Sequence, residues 1–196
     1  MASYAETADV RPISGPLAVA IADPAPLGLA AFALTTFVLS SANAGWIPAG
    51  GDQVVLGLAF AYGGLTQLIA GIWEFRRNNT FGATAFCSYG GFWIAFALLV
   101  TFYVGKIPAP AVSSALGFFL LSWAIFTAYM TVCALKGASR PVQVVFVLLT
   151  ITFVILSAGA FGSAPEWSRI GGYFGVATAF AAWYASAMGV MASMGA

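Results

Sequence analysis

The chain has 196 residues, of which 61% are hydrophobic and only 7% charged, and its net charge is +1. Soluble domains are roughly half apolar and one quarter charged, so this composition predicts a protein embedded in a lipid bilayer. Lys and Arg form no basic patch, which argues against nucleic acid as a partner, and the sequence has no histidine, the commonest metal ligand. We therefore expect neither a metal nor a cofactor.

The first 22 residues differ from the rest of the chain. They carry Glu6, Asp9 and Arg11 without a clear hydrophobic period, and the apolar run Leu17–Ala22 is too short for the core of a signal peptide. We predict a cytoplasmic N-terminal tail over residues 1–22 and a six-helix transmembrane transport domain over residues 23–196.

A proline-containing motif leads into the first long apolar segment, and we call it the opening motif. Its residues are Asp23, Pro24, Ala25, Pro26, Leu27 and Gly28. A residue before proline is pushed away from helical angles, whereas proline itself suits the first helical position. A helix is therefore predicted to begin at Pro26 or Leu27. The Asp23 carboxylate is placed either to cap the first turn or to contact a ligand.

Six apolar segments of about twenty residues follow, the length needed to cross the ~30 Å hydrocarbon layer. We place them near Leu27–Trp46, Val54–Phe75, Thr84–Tyr103, Ala111–Leu135, Pro141–Phe161 and Ser168–Met191. Short connections make consecutive helices antiparallel neighbours, so the sequence predicts an all-α integral membrane protein whose six transmembrane helices form one compact bundle. No proline lies in the middle of a span, so mostly continuous helices are expected, with local breaks at the plentiful glycines as the alternative.

The basic residues predict the orientation of the bundle. The side that holds both termini collects Arg11, Arg76, Arg77, Lys136 and Arg140, and the other side has Lys106 and Arg169. Cytoplasmic loops carry the excess of Lys and Arg, so this multi-pass protein of the cell membrane is expected to keep both termini in the cytoplasm.

Small residues recur on two helices at spacings of three and four. One seam comprises Gly57, Ala61, Gly64, Leu68 and Gly71, and the other comprises Gly175, Ala179, Ala182, Ser186, Gly189 and Ser193. Helices in lipid associate through close backbone approach at small residues. The seams therefore predict a tightly packed bundle, and a face between protomers is a second possible role.

The acidic residues do not indicate an enzyme. All of them lie at a terminus, in a loop or at a helix end, and no serine or cysteine has a histidine to activate it. Their placement also speaks against a pump with buried carboxylates. Glu74 is two positions from Arg76, so a salt bridge or cap at the membrane rim is expected.

Uncharged polar side chains remain inside the predicted spans. Those proposed to line a path are Thr35, Asn43, Tyr62, Gln67 and Ser88. Gln67 lies near the middle of the second span, where an amide needs partners, although any one of these residues could instead join two helices by a hydrogen bond.

Two aromatic residues are predicted to lie at the same depth. Phe32 and Tyr89 are each five residues inside the predicted start of their helix, about 8 Å below the same membrane face. They are placed to form one aromatic layer, and separate packing in the core or against lipid is the alternative.

The opening motif resembles the Asn-Pro-Ala-Pro-Leu-Gly-Leu signature of the acetate uptake transporters, which include bacterial acetate/succinate transporters. Further similarity lies in the second and third spans and after the fourth. It is carried by Tyr62-Gly63-Gly64, Gln67, Ala70-Gly71, Glu74, Asn79-Thr80-Phe81-Gly82, Thr84-Ala85-Phe86, Ser88-Tyr89-Gly90 and Lys136-Gly137. The resemblance covers nearly the whole chain from Asp23 onward.

This resemblance implies a homohexameric ring with a separate substrate path through each protomer. It also implies uptake of acetate and related small monocarboxylates, with succinate in some members, past a hydrophobic constriction. The constriction would comprise Phe32, Tyr89 and, with less similarity around it, Leu149. The motif asparagine of the family is Asp23 here, and a carboxylate would repel an anionic substrate.

The sequence therefore predicts channel-like membrane transport of acetate and small monocarboxylates. A proton-coupled acetate symporter is the alternative within transport, and a non-transporting membrane scaffold is the alternative from another class. A scaffold would pair its internal polar residues with one another, whereas a transporter would turn them toward a cavity.

Overall fold

The computed structural model describes residues 21–195, and six of its helical stretches are long and apolar enough to cross a bilayer. They cover Ala25–Asn43, Gly51–Arg76, Thr80–Lys106, Ala109–Gly137, Arg140–Gly162 and Pro165–Ser193. The prediction of an all-helical protein with six membrane spans is confirmed. Most of the helices run a few residues past their predicted ends, because backbone hydrogen bonding continues into polar turns that hydropathy does not include. Residues 1–20 of the predicted tail lie outside the described residues.

Seven α-helices make up these spans. They are α1 Ala25–Asn43, α2 Val54–Phe60, α3 Gln67–Arg76, α4 Thr80–Leu98, α5 Ala109–Gly137, α6 Arg140–Gly162 and α7 Pro165–Ser193. A π-helical turn, Ala61–Thr66, joins α2 to α3, and a second π-helical turn, Leu99–Tyr103, extends α4. The absence of mid-span prolines did not indicate these changes of pitch, because a π turn needs only one extra residue and no proline.

The first helix begins at Ala25, one residue before Pro26, which was the earlier of the two predicted starts. The N–H of Gly28 donates to the carbonyl of Pro24 at 3.1 Å, so Ala25 already belongs to the first turn. The free N–H of Ala25 donates to the Asp23 carboxylate at 3.0 Å. This is the capping contact that the sequence suggested for Asp23, made with a helix that starts at Ala25.

The small residues of α7 pack against α1. A Cβ atom at Gly189 would lie 2.8 Å from Cγ of Pro26, which leaves no room for a side chain. The Ser186 hydroxyl donates to the carbonyl of Pro26 at 2.6 Å, and Ala182 is completely buried. This seam therefore joins two helices within one protomer.

The small residues of the second span pack against α4 over part of their length. A Cβ atom at Gly71 would lie 2.6 Å from the Cys87 sulfur, and one at Gly90 would lie 2.9 Å from the carbonyl of Gly64. At Gly57, in contrast, a Cβ atom would have no neighbour within 4 Å. The seam thus holds α3 and the π turn to α4 but does not extend into α2.

The bundle has two ends, and we name each of them after one residue that lies there. The Asp23 face is where α1, α4 and α6 begin and where α3, α5 and α7 end. The Arg169 face is the opposite end. Between them lies an aromatic core in which Phe92 contacts Trp93, Trp123 and Phe153 edge-on, with ring centroids 5.0–5.4 Å apart.

Candidate substrate pathway

Within residues 21–195, the bundle contains a cavity toward each face. The Asp23-face cavity has a volume of about 440 Å³ and the Arg169-face cavity about 1020 Å³. The first is lined by the start of α1, the α3–α4 turn and the ends of α5 and α6 that meet there. The second is lined by the far half of α1 together with α4, α5, α6 and the start of α7.

Phe32 and Leu149 line both cavities and so form the wall between them. Tyr89 lines the Asp23-face cavity beside them, with its ring centroid 5.8 Å from that of Phe32. All three side chains are buried, and the Tyr89 hydroxyl lies 3.0 Å from the Thr127 hydroxyl. The structure therefore brings together the three side chains that the family resemblance placed at a constriction.

Four buried side chains of the described region carry nitrogen or oxygen atoms without a hydrogen-bond partner. They are Thr36, Gln67, Glu74 and Trp93. Gln67 and Glu74 line the Asp23-face cavity, and Thr36 and Trp93 line the Arg169-face cavity. Buried polar groups nearly always have partners. Since all four side chains border a cavity, the cavities are suited to water or a polar solute.

Glu74 lies near the end of α3, as predicted, but its side chain is buried and, within residues 21–195, forms no salt bridge with Arg76. Its side chain has no exposed surface, and its carboxylate Oε2 accepts a hydrogen bond from Asn79 Nδ2 at 2.9 Å. Arg77 binds Asp23 instead, at 2.5 Å. The expectation failed because the tight turn at Asn78, with φ +58°, folds the start of α4 over the last turn of α3. A position near a helix end is therefore shielded from water.

Two of the five predicted path-lining polar residues border a cavity. Gln67 lines the Asp23-face cavity and Asn43 the Arg169-face cavity. Thr35 packs against Gly63 of the π turn and donates its hydroxyl to the carbonyl of Ala31 at 3.0 Å. The structure gives Thr35 a packing role in place of a lining role.

Tyr62 and Ser88 are partly buried and belong to the wall of neither cavity. Both have the depth expected of a lining residue but point to other sides of their helices. Depth along a helix was readable from the sequence, whereas direction around the helix was not.

The opening motif positions α1 at the mouth of the Asp23-face cavity. Ala25 lines that cavity, Leu27 is exposed on the outside of the bundle, and Pro24, Pro26 and Gly28 are buried. A Cβ atom at Gly28 would lie 2.8 Å from the Phe86 ring, so glycine allows α4 to approach here. The Asp23 side chain belongs to the lining of neither cavity.

Charged side chains at the far mouth were not singled out from the sequence. Arg169 and Asp52 line the Arg169-face cavity, and the Arg169 guanidinium packs over Gly45, whose φ is +80°. Asp23–Arg77 is the salt bridge found in residues 21–195, so Arg169 offers an unpaired positive charge there. The sequence signal was a lone arginine early in the last helix of an apolar chain.

Comparison with known proteins places the chain in a family. Residues 7–195 match the GPR1/FUN34/yaaH family. The chain belongs to that family. The resemblance found in the sequence motifs to acetate uptake transporters is thereby confirmed.

Named relatives come from fungi and bacteria. Acetate permease A of Emericella nidulans is 44% identical over 86% of this chain and 61% of its own length. The succinate-acetate/proton symporter SatP of Escherichia coli strain K12 is 39% identical over 80% of this chain and 81% of its own length. The chain spans 61% of the length of the fungal relatives with the highest identity.

A solved structure has the same architecture. The structure of the bacterial acetate channel SatP superimposes with a TM-score of 0.82 at 35% identity. The match covers 89% of this chain and 95% of that one. The order and packing of the helices are therefore those of a known membrane transport protein.

Proposed function

We propose that this protein transports acetate and related small monocarboxylates across the membrane along a path within each protomer. The path runs from the Arg169-face cavity past Phe32, Leu149 and Tyr89 into the Asp23-face cavity. The observation that carries the proposal is that, within residues 21–195, the four buried side chains with an unpaired nitrogen or oxygen atom all border these cavities. A scaffold protein would have paired them with one another. The names of the related permease and symporter and of the matching channel support the choice of substrate.

The chemistry of the walls suits a small carboxylate. At pH 7 only about one molecule in 500 of an acid with a pKa like that of Glu is neutral, so the solute arrives as an anion. Arg169 attracts it to the wide cavity, and the hydroxyl of Thr36 and the indole N–H of Trp93 replace part of its water. The buried wall of Phe32 and Leu149 then excludes larger solutes.

Assembly and orientation belong to the same proposal. We place the Asp23 face in the cytoplasm, because Arg76, Arg77, Lys136 and Arg140 lie there against Lys106 and Arg169 at the other face. Arg11 lies outside the described residues. Many large apolar side chains of α5 are exposed, among them Phe118 and Ile125, and lipid or neighbouring protomers would cover them. The family resemblance favours a homohexameric ring.

Uptake of labelled acetate into proteoliposomes tests the proposal. Saturable uptake above that of protein-free liposomes is expected. Leu149→Trp fills the wall between the cavities and should lower uptake at least about tenfold, whereas Leu148→Trp, on the next residue and outside both linings, should not. No uptake by the parent protein would favour a scaffold. Equal uptake by parent and Leu149→Trp would place the path elsewhere.

A further inference from the structure

Glu74 lines the Asp23-face cavity and has one carboxylate oxygen without a protein partner. The side chain is fully buried, Oε2 is held by Asn79, and Oε1 has no protein partner. A buried carboxylate with a single neutral hydrogen bond is costly to keep charged, and a bound proton removes that cost. Protonation would also turn the group into a donor that needs an acceptor.

The structure around the carboxylate fixes its direction. The amide of Asn79 donates to Glu74 through Nδ2 and accepts the N–H of Gly82 at 3.0 Å through Oδ1, so its own orientation is set. The carboxylate lies across Gly82, where a Cβ atom would be 2.8 Å from its Cδ and 2.9 Å from Oε1. These contacts hold Glu74 in place, and Oε1 is its carboxylate oxygen without a protein partner.

The neighbouring charges do not provide a cation for an anionic substrate in this cavity. Asp23 and Arg77 are the charged groups that act on Glu74, and they form an ion pair with each other at 2.5 Å. The other titratable side chains that line the cavity are Tyr89 of α4 and Cys133 of α5, and neither is basic. Among the described side chains that line the cavity, a carboxylate would therefore meet a formal charge only at Glu74.

A second polar group continues the same helical face. Gln67 precedes Glu74 by seven residues on α3, which is two turns and about 10 Å along the axis. Its amide nitrogen and oxygen both lack protein partners, and the residue lines the same cavity. The wall thus has one neutral donor deep in the cavity and one ionisable group at its mouth.

Building on the proposed transport function, we propose that Glu74 binds a proton when a carboxylate substrate occupies the Asp23-face cavity. The proton comes from solvent, converts the Glu74 carboxylate to the acid, and lets the O–H at Oε1 donate a hydrogen bond to a substrate oxygen. It returns to solvent when the substrate leaves, and no other bond forms or breaks. Glu74 thereby makes occupancy of the path depend on pH.

The dependence of acetate affinity on pH tests this role. In proteoliposomes with equal pH on both sides, acetate stays almost entirely ionised from pH 6 to pH 9. If one proton binds with each anion, the half-saturating acetate concentration should rise by up to about tenfold per pH unit above the titration of Glu74. The Glu74→Gln variant has a permanent hydrogen-bond donor and no charge at this position, so its half-saturating acetate concentration should be independent of pH.

Two further variants complete the experiment. Glu166→Gln makes the same substitution at an exposed position on the Arg169 face and should keep the pH dependence of the parent. Glu74→Asp retains a titratable group and should restore the dependence that Glu74→Gln loses. Should Glu74→Gln fail to fold, the parent and Glu74→Asp profiles still carry the test.

The two proposals fail in different ways. Absence of saturable acetate uptake by the parent at every pH would refute the transport function and this inference with it. Saturable uptake with a constant half-saturating concentration would leave transport intact and overturn the role of Glu74. The same slope in the parent and Glu74→Gln would also overturn it.

Discussion

Replacing Phe32 by alanine should weaken the size selection of the path. Phe32 is 5% exposed, and its ring is part of the wall shared by the two cavities. A hydrophobic site discriminates a single methylene by about 1–3 kcal/mol, and benzoate exceeds acetate by a whole ring. Removing only about 1.4 kcal/mol of the barrier to the larger solute raises its relative rate about tenfold. The benzoate-to-acetate uptake ratio of Phe32→Ala should therefore rise at least about tenfold.

The assay compares initial uptake of the two labelled acids at pH 7 after subtraction of protein-free liposomes. Phe153→Ala is the matched control, because Phe153 is 4% exposed and lines only the Arg169-face cavity. Both variants lose packing, at a cost of about 3 kcal/mol each, so stability alone does not separate them. If well-folded Phe32→Ala and Tyr89→Ala both keep the uptake ratio of the parent, the constriction is not at this wall.

Two further substitutions test the opening motif and the α1–α7 contact. Asp23→Asn breaks a half-exposed ion pair with Arg77, so it should cost only about 0.2–1 kcal/mol in a thermal unfolding assay and leave initial acetate uptake unchanged at low and high salt. A severalfold, salt-sensitive gain at pH 7 would instead place Asp23 in the path. Gly189→Leu must push α7 away from Pro26, so the purified protein should unfold at a lower temperature, whereas Gly57→Leu, in open space, should not. Equal melting temperatures for both variants would contradict the packing of this seam.

The number and type of the helices could be predicted because the bilayer imposes one length and one composition on every span. Helix ends were less certain, since they depend on local hydrogen bonds. The Asn79 side chain, for example, caps Gly82 and lets α4 begin at Thr80, four residues before its predicted start. Hydropathy carries no signal for such a contact.

The candidate site was only partly predictable. Phe32 and Tyr89 were placed at one depth by counting residues, and their rings do lie together. The direction of a side chain around its helix depends on which neighbour the helix packs against. For that reason Tyr62 and Ser88 were placed on the path but border neither cavity, while Glu74, assigned to the rim, borders one. A carboxylate five residues before a capping asparagine and eight before a glycine was the available signal.

The π-helical turn at Ala61–Thr66 also fixes the phase between the two halves of the second span. One extra residue in a helix rotates everything after it by about 100° relative to everything before it. Deleting a single residue from this turn would therefore leave the length and hydropathy of the span almost unchanged, yet turn both Gln67 and Glu74 away from the Asp23-face cavity. In this span, the rotation of each half about the helix axis, rather than composition, decides which side chains line the cavity. A one-residue gap at this turn in a related sequence would therefore indicate a protein with a different cavity wall.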